Sequence, residues 1–189
     1  RRIPCWIYVQ DLWPENIEIV TGIHSKLVLG PIGRMVDYIY RRCDRIFATS
    51  PSFVDMIRRR IPSEEDKVSY WPQYAEEFYR PMERGSSGLI PCDGRFKVAF
   101  TGNVGRAQGL DILPDAAAVL KRDGVNAEFV IVGDGRSKAA LIEKIKLLGV
   151  EDMFVLIPRQ PAESIPAILA GCDAAFVSFM NNVLFANTI

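Results

Sequence analysis

Apolar and polar positions follow two distinct periods along the first 72 residues of the chain. Short apolar runs predict buried strands, and these lie at residues 3–9, 45–49 and 68–71. Residues 32–43 carry apolar side chains at helical spacing instead, namely at Met35, Val36, Ile39 and Cys43. Ser50-Pro51 predicts a second helix start, with serine as the N-cap and proline in the first turn. This alternation of strands and helices predicts a parallel sheet.

The same alternation returns in the second half of the chain. Four apolar runs predict strands, at residues 98–100, 127–132, 153–157 and 174–179. Helical patterns separate them, and they begin near Asp111, Ser137 and Ile165. Gly124 and Gly149 predict the ends of the first two helices. The predicted fold class is therefore α/β, with two Rossmann-like parallel-sheet domains.

Residues 74–94 interrupt this rhythm with proline, glycine and serine and show no sustained apolar period. Such a composition is typical of linkers. We therefore predict a first domain over residues 1–80, a linker over 81–94 and a second domain over 95–189. The chain begins inside a predicted strand and ends just after an apolar segment. We accordingly expect a fragment of a longer protein, with both domains incomplete and without activity on its own.

A glycine-rich turn follows the first strand of the second domain. Gly102, Gly105 and Gly109 remove side chains from this turn, so that its backbone N–H groups are able to approach a ligand closely. The N-terminus of the next helix adds unpaired N–H groups and the positive end of its dipole. We predict that the turn holds the pyrophosphate of a nucleotide. The alternative is a tight turn between a strand and a helix, as found in any α/β protein.

The end of the first predicted strand carries a second group of candidate residues. Gln10 and Asp11 are followed by Trp13 and Pro14, at the position where open α/β sheets place their ligands. Asp11 is suited to accept a hydrogen bond from a hydroxyl group, and Trp13 to pack against the flat face of a sugar or ring. The alternative, with equal weight, is that Asp11 caps a turn while Trp13 fills the core.

Composition and charge exclude several classes of function. Hydrophobic residues make up 49% of the chain, and 23 basic residues balance 23 acidic ones. A globular protein is therefore expected, and not a nucleic-acid binder that relies on a general positive field. The arginine clusters at 41–42 and 58–60 are compatible with a peripheral contact at an anionic membrane surface. His24 is the only histidine, so we expect a loop residue and neither a metal cluster nor a triad.

The cysteines indicate a reducing, cytoplasmic environment. Cys5, Cys43, Cys92 and Cys172 are scattered and form no C-x-x-C motif, which argues against a zinc site. Cys43 and Cys172 lie in apolar patterns and are expected to be small core residues.

Several motifs resemble those of family-4 glycosyltransferases, which have the GT-B fold. Residues 102–111 read Gly-Asn-Val-Gly-Arg-Ala-Gln-Gly-Leu-Asp, and with residues 129–135 and 171–178 they resemble the donor domain. Residues 10–14 and 49–53 resemble the acceptor-side domain of the same enzymes. The likeness is greatest to bacterial enzymes that build lipopolysaccharide O-antigen and capsule, including fucosamine transferases.

This resemblance implies a retaining transferase that moves a sugar from a UDP- or GDP-sugar to a lipid-linked or saccharide acceptor, without a metal or other cofactor. It implies that Gln10 and Asp11 are catalytic and face the transferred sugar, with Trp13 on the acceptor side. The implied donor-binding residues are Gly102, Asn103, Val104, Gly105, Arg106 and Gln108 at the pyrophosphate, Gly133, Asp134 and Gly135 near the nucleoside, Arg159 at the base, and Ser178 facing the cleft.

The first glycine turn departs from many of these relatives at two positions. Asn103 stands where they carry arginine, and Gln108 where they carry lysine. A neutral hydrogen bond contributes about 0.5–1.5 kcal/mol, against about 1.5–3 kcal/mol when one partner is charged. We therefore predict that Arg106 takes over the phosphate contact, so that Arg106→Ala weakens donor binding. Gln10 stands where many relatives carry histidine, so a histidine-dependent role is not transferred.

Two other classes of function compete with this interpretation. A dinucleotide-dependent oxidoreductase is disfavoured because no Gly-x-Gly-x-x-Gly follows a predicted strand. No acidic residue closes the second strand before its glycine turn either. A non-catalytic module that binds a nucleotide or a sugar is the other alternative. Binding of a nucleoside diphosphate without turnover would favour that module.

Overall fold

The computed structural model describes residues 3–181. Within them the chain forms two compact units, and these are residues 3–74 and Ala75–Met180. We call them the first unit and the second unit. The division falls after Tyr74, N-terminal to the linker that composition suggests at residues 81–94. Ile90 explains the difference, because it is only 4% exposed and packs in the core of the second unit with Ala99 and Ile168.

The first unit, over residues 3–74, is a parallel three-stranded sheet with helices between its strands. The strands are β1 (Trp6–Val9), β2 (Arg45–Ala48) and β3 (Val68–Tyr70), in the order β1-β2-β3. The helices are α1 (Glu15–Thr21), α2 (Lys26–Arg42) and α3 (Pro51–Arg60). Buried side chains of the sheet pack on α2 and α3, with Ile46 and Ile57 fully enclosed. The predicted parallel α/β class is confirmed.

Local capping starts α3 as the sequence predicts. The Phe53 N–H donates to the Ser50 hydroxyl oxygen at 3.2 Å, and Pro51 occupies the first turn. At the other end of α3, Arg60 donates to Asp37 at 2.7 Å and to Glu15 at 3.1 Å. One guanidinium thus ties α3 to both α1 and α2.

The helical part of the first unit extends further than the sequence pattern indicates. Helix α2 begins at Lys26 and contains Pro31, although apolar spacing alone predicts a start near residue 32. Helix α1 has no counterpart in the apolar pattern. Gly30 and Pro31 normally interrupt helices, so local preference argues against a long α2. Contacts of α2 with the core begin only at Ile32, and the part of the helix before it is mostly exposed.

The second unit contains a parallel four-stranded sheet within the described residues. Its strands are β4 (Phe96–Thr101), β5 (Ala127–Val132), β6 (Phe154–Ile157) and β7 (Ala174–Ala175), in the order β6-β5-β4-β7. Its helices are α4 (Leu113–Arg122), α5 (Lys138–Leu147) and α6 (Ile165–Ala170). All six residues of β5 are buried, as expected for the interior strand of a sheet covered on both faces.

Strand β7 is shorter than the predicted run at residues 174–179. The Phe176 N–H still donates to the Ala99 carbonyl oxygen at 2.7 Å. The chain then leaves the sheet, and the Met180 N–H donates to the Ala107 carbonyl oxygen at 2.8 Å. The apolar run therefore continues as a segment that packs on the loop after β4.

A buried ion pair joins β4 to β5. Lys97 and Glu128 are register partners, each is 1% exposed, and the Lys97 ammonium lies 2.8 Å from a Glu128 carboxylate oxygen. Asp93 accepts a second hydrogen bond from Lys97 at 2.6 Å, and Arg95 pairs with Glu128. Burial lowers the pKa of Lys97, but its hydrogen bonds to Asp93 and Glu128 outweigh this and raise it. Lys97 is therefore held in its charged form.

Candidate functional site

The two glycine turns lie side by side at the carboxyl ends of β4 and β5. The Gly102 N–H donates to the Val132 carbonyl oxygen at 2.9 Å, and the Val104 N–H donates to the Asp134 carbonyl oxygen at 2.9 Å. The Ser137 N–H, just before α5, donates to the Val104 carbonyl oxygen at 3.0 Å. The parallel ladder, in which Thr101 pairs with Val132, thus continues into the turns.

Most N–H groups of the first glycine turn are committed to protein acceptors. The Gly105 N–H donates to the Asn103 carbonyl oxygen at 2.9 Å and to the Gln108 side-chain oxygen at 3.2 Å. Within residues 3–181, the Asn103 N–H has no hydrogen-bond partner. Among the N–H groups at positions 102–105 in that range, it alone is available to an anion.

The second glycine turn needs its glycines for this close packing. A Cβ atom at Gly133 would lie 1.9 Å from the Gly102 carbonyl oxygen, and φ at Gly133 is +146°. A Cβ atom at Gly135 would lie 2.4 Å from the Val104 carbonyl oxygen. Any other residue would push the two turns apart. The glycines therefore have a packing role in addition to any contact with a ligand.

A cavity of about 540 Å³ opens beside the two turns. We call it the glycine-turn cavity. It brings together Gly102, Asn103, Gly133, Asp134 and Arg159 of the predicted donor-binding residues. Its other lining residues are Tyr79, Thr101, Val132, Gln160, Ala162 and Ile165. The Arg159 guanidinium forms no ion pair within the described part of the chain, so a cation is available to an anionic ligand.

Asp134 links the two loops that border this cavity. Its carboxylate accepts a hydrogen bond from the Lys138 ammonium at 2.6 Å and one from the Arg159 backbone N–H at 3.0 Å. These bonds, that from Lys138 first, lower the pKa of Asp134. Lys138 also donates to the Gly133 carbonyl oxygen at 2.8 Å. Asp134 therefore holds the loop after β6 against the turn after β5.

Arg106 lies in a different cavity. This second cavity, of about 510 Å³, is lined by Gly105, Arg106, Asp111 and residues of α5, including Lys144. We call it the Arg106 cavity. Neither Gln108 nor Ser178 lines either cavity: the Ser178 hydroxyl donates to the Gln108 carbonyl oxygen at 2.5 Å. Val104 lines the Arg106 cavity, although its side chain is almost completely buried. The predicted donor-binding residues thus separate into two cavities, with Gln108, Gly135 and Ser178 in neither.

In the first unit, Gln10, Asp11 and Trp13 line a cavity of about 380 Å³ between β1 and α2. We call it the Asp11 cavity. Trp13 is 48% exposed, so it does not fill the core. The Asn16 amide donates to the Asp11 carboxylate at 2.7 Å, and the Gln10 amide lies 3.5 Å from the Gln73 side-chain oxygen. The structure therefore brings these three predicted residues together.

The second unit matches a known protein family. Residues 90–182 fit the family model described as "Glycosyl transferases group 1". This range contains both glycine turns and ten of the eleven residues that line the glycine-turn cavity. Over residues 90–182 the second unit is therefore similar to the group 1 glycosyl transferases.

Curated relatives of this chain are glycosyltransferases. Probable glycosyltransferase WbjE of Pseudomonas aeruginosa is 28% identical over 182 residues, which cover 92% of this chain and 44% of WbjE. D-inositol 3-phosphate glycosyltransferase of Nocardia farcinica is 28% identical over 175 residues, which cover 86% of this chain and 38% of that protein. The chain thus spans less than half the length of these relatives.

Solved glycosyltransferases share the fold of both units. WaaG, a glycosyltransferase involved in lipopolysaccharide biosynthesis, aligns with 94% of this chain and 51% of its own, at a TM-score of 0.72 and 11% identity. HepE of Anabaena, in complex with UDP and glucose, aligns with 93% of this chain and 46% of its own, at a TM-score of 0.67 and 16% identity. At these identities the likeness concerns the fold, and it confirms the predicted GT-B class.

Some residues of the glycine-turn cavity have no counterpart in the sequence prediction. Tyr79 is 44% exposed and lines the glycine-turn cavity, although it precedes the predicted linker by only two residues. Gln160 directly follows Arg159 in the loop after β6, so its sequence position next to a predicted site residue pointed to the same cavity. Tyr79 carried no such local signal, because no period in this segment distinguishes it from the neighbouring aromatic residues Tyr74 and Phe78.

Metal-binding side chains do not converge in the described part of this chain. Within residues 3–181, no group of three His, Cys, Asp or Glu side chains is placed to hold a metal ion. His24 lies in a loop, with Nδ1 2.7 Å from the Glu18 carboxylate. No helix in the same range is both long and apolar enough to cross a membrane.

Proposed function

We propose that this protein is a glycosyltransferase that moves a sugar from a nucleoside diphosphate donor to a lipid-linked or saccharide acceptor. One observation carries this proposal. The group 1 match falls on the unit in which two adjacent glycine turns border a polar cavity. Open α/β sheets bind their ligands at the carboxyl ends of the strands, which is where this cavity lies.

The glycine-turn cavity is the proposed donor site. Asn103 offers a backbone N–H and an amide side chain, and Arg159 supplies a positive charge. Thr101, Asp134 and Gln160 add polar groups that suit a ribose and a base. UDP in the HepE complex is consistent with such a ligand. Catalysis would then consist of positioning the donor and stabilising the departing diphosphate.

Arg106 and Arg159 are rival candidates for the phosphate contact. The sequence assigns it to Arg106, but Arg159 shares its cavity with Asn103, whereas Arg106 does not. We expect Arg159→Ala to weaken UDP binding more than Arg106→Ala, by about tenfold, as expected when one hydrogen bond to a charged group is lost. Isothermal titration calorimetry of both variants decides between them. The reverse order would restore the assignment to Arg106.

The Asp11 cavity is the proposed site for the transferred sugar and the acceptor. Gln10 and Asp11 offer an amide and a carboxylate for sugar hydroxyl groups, and the exposed Trp13 ring offers a flat apolar face. We infer that transfer retains the anomeric configuration of the donor. NMR analysis of the product anomer tests this, and an inverted product would exclude it.

We further infer a role in cell-surface polysaccharide assembly, such as O-antigen or capsule, with transfer of an aminosugar such as fucosamine. The motif at residues 102–111, which resembles that of enzymes of O-antigen and capsule synthesis, supports this role. We infer a cytoplasmic location, because the four cysteines are free thiols, as is usual in that compartment. The exposed arginines Arg41, Arg42 and Arg59 are candidate contacts with the inner face of the plasma membrane, whereas Arg60 is held by Asp37 and Glu15.

A nucleotide panel tests the donor assignment. UDP, GDP, ADP and NAD are each added to the chain, and the thermal unfolding midpoint is measured. We expect UDP or GDP to raise the midpoint, because a ligand at 100 times its Kd stabilises the folded state by about 2.7 kcal/mol. Stabilisation by NAD alone would contradict the proposal and favour an oxidoreductase. Binding of UDP by the full-length protein without any sugar transfer would favour a non-catalytic binding module.

A further inference from the structure

Two cysteines that are 38 residues apart in sequence lie side by side in the first unit. The sulfur atoms of Cys5 and Cys43 are 3.9 Å apart. Cys5 directly precedes β1 and is exposed, whereas Cys43 directly follows α2 and is buried. One of the pair is therefore open to a reagent in solution, and the other lies behind it.

The backbone holds this pair in place. The Cys5 N–H donates to the Asp44 carboxylate at 2.8 Å, and the Asp44 N–H donates to the Cys5 carbonyl oxygen at 2.8 Å. Immediately afterwards, Trp6 pairs with Arg45 in the parallel ladder of β1 and β2. The start of β1 is thus fixed beside Cys43. A disulfide requires the two sulfur atoms to close to about 2 Å.

We propose that Cys5 and Cys43 form a reversible intramolecular disulfide by exchange with a low-molecular-weight disulfide such as oxidised glutathione. This inference is independent of the proposed transferase function. Cys92 serves as an internal comparison. It is also exposed, but within residues 3–181 no other cysteine sulfur is paired with its own.

The exchange proceeds in two balanced steps. First, the Cys5 thiolate attacks one sulfur of oxidised glutathione, so that a Cys5–glutathione bond forms and the glutathione disulfide breaks. The departing glutathione thiolate takes up a proton. Next, the Cys43 sulfur loses its proton to solvent and attacks the Cys5 sulfur, which releases the second glutathione. Two thiols of the protein are oxidised, and one glutathione disulfide is reduced to two thiols.

The environment of Cys43 supports this order of events. Burial, reinforced by the hydrogen bond with Cys5, raises the pKa of Cys43 to about 11. Cys43 therefore remains a thiol at neutral pH and is shielded from solvent. The exposed Cys5 is the residue that meets the oxidant, and Cys43 resolves the mixed disulfide because its sulfur is already adjacent.

The cross-link would brace the Asp11 cavity. Strand β1 and helix α2 form the walls of that cavity, through residues such as Val9 on β1 and Val36 on α2. Cys5 lies at the N-terminal end of β1, and Cys43 lies at the C-terminal end of α2. A covalent bond between them would restrict the relative motion of the two walls, and so the shape available to a ligand.

Peptide mapping tests the disulfide directly. The chain is incubated with oxidised glutathione, free thiols are blocked, and the protein is cut with trypsin. Cleavage after Arg2, Lys26, Arg42 and Arg45 gives peptides 3–26 and 43–45. We expect mass spectrometry to find these two peptides linked to each other. Dithiothreitol should separate them, and the intact oxidised protein should lack two hydrogens and carry no glutathione on this pair.

Matched variants complete the test. Cys5→Ser and Cys43→Ala should each abolish the linked peptides, whereas Cys92→Ser should leave them unchanged. The proposal is overturned if glutathione remains on Cys5 while Cys43 stays reduced, or if Cys5 is linked to Cys92 or Cys172 instead.

Hydrogen exchange adds a second measurement: oxidation should slow amide exchange in residues 6–9 and 36–42. Unchanged exchange there would exclude the brace.

Discussion

Asp134 shows how a single side chain can shape a site without lying at its centre. Its two carboxylate oxygens connect Lys138 on α5 with the backbone of Arg159. The loop that carries Arg159 therefore depends on a charge from the neighbouring turn. Glycine spacing identifies this turn in the sequence, but the link to Arg159 depends on strand order.

Replacement of Asp134 by asparagine should weaken nucleotide binding. A neutral amide at this position forms no ion pair with Lys138 and holds the loop at Arg159 less firmly. We expect UDP affinity to fall by roughly three- to tenfold, which is typical of one weakened charge-assisted hydrogen bond at a surface. Calorimetry measures the change. Asp115→Asn is the matched control, because Asp115 pairs with Lys144 at 2.5 Å but does not line the glycine-turn cavity. Equal losses in both variants would contradict a specific role.

Asp173 gives a prediction about pH. Its carboxylate accepts hydrogen bonds from Arg84 at 2.8 and 3.2 Å and from the Lys97 N–H at 2.8 Å. These bonds, with that of Arg84 first, lower its pKa to about 2. Because the folded-state pKa is depressed, the stabilisation is fully present above the usual carboxyl pKa of about 4. It is lost as the pH falls from there towards 2.

The measurement is chemical denaturation between pH 5 and pH 2. The unmodified protein should lose more stability across this range than Asp173→Asn, which has no charge to lose at this position. Asp123→Asn serves as a control, because Asp123 pairs only with the neighbouring Arg122 among the described residues. A parallel decline of the unmodified protein and Asp173→Asn would exclude the linkage.

At the scale of elements, strand pairing determines how the two glycine turns meet. In the ladder of β4 and β5, Thr101 pairs with Val132, so Gly102 and Gly133 follow the two strands side by side. The backbone of Gly102 then occupies the space that a side chain at Gly133 would need. The glycines predicted to approach a phosphate also approach each other. Sequence spacing alone does not separate these two reasons for a glycine.

Gly133→Ala should destabilise the second unit. Its Cβ atom would lie 1.9 Å from the Gly102 carbonyl oxygen, and the positive φ adds backbone strain. We expect a loss of about 3 kcal/mol or more in the free energy of unfolding, from the combined cost of overpacking and strain. Urea denaturation measures this loss. Gly30→Ala is the control, because a Cβ at Gly30, inside α2, meets open space and alanine favours helix. A mild effect at Gly133 would mean that the turns can separate.

At the scale of the whole molecule, each unit carries its own core and its own cavity. The glycine-turn cavity lies within the second unit and the Asp11 cavity within the first. A donor and an acceptor handled by separate units would suit a transferase of two substrates. The proposed donor site therefore predicts which segments of the chain a bound nucleotide protects from exchange.

UDP should protect the second-unit turns from hydrogen exchange. We expect slower amide exchange at residues 101–104, 132–134 and 158–162, because the ligand covers these segments and reduces local opening. Strand β2 of the first unit is the internal reference and should not change. Mass spectrometry of the whole chain with and without UDP provides the measurement. Protection confined to the Asp11 cavity would reverse the assignment of the two units.

The class of fold and most of its elements follow from local patterns in the sequence. Apolar periods, the Ser50 cap and the glycine spacing are local properties, and each acts within one or two helical turns or strand lengths. They were sufficient for the two parallel-sheet units and for the resemblance to glycosyltransferases. They missed α1 and residues 26–31 of α2, where Gly30 and Pro31 disfavour a helix.

Which side chains share a cavity depends on tertiary structure instead. Arg106 and Asn103 are three residues apart but line different cavities, whereas Asn103 and Arg159 share one. Cys5 and Cys43 became neighbours in the same way, through the pairing of β1 with β2. The physical reason is that strand order and the path of each turn set the direction in which a side chain leaves the backbone. Contacts distant in sequence establish both.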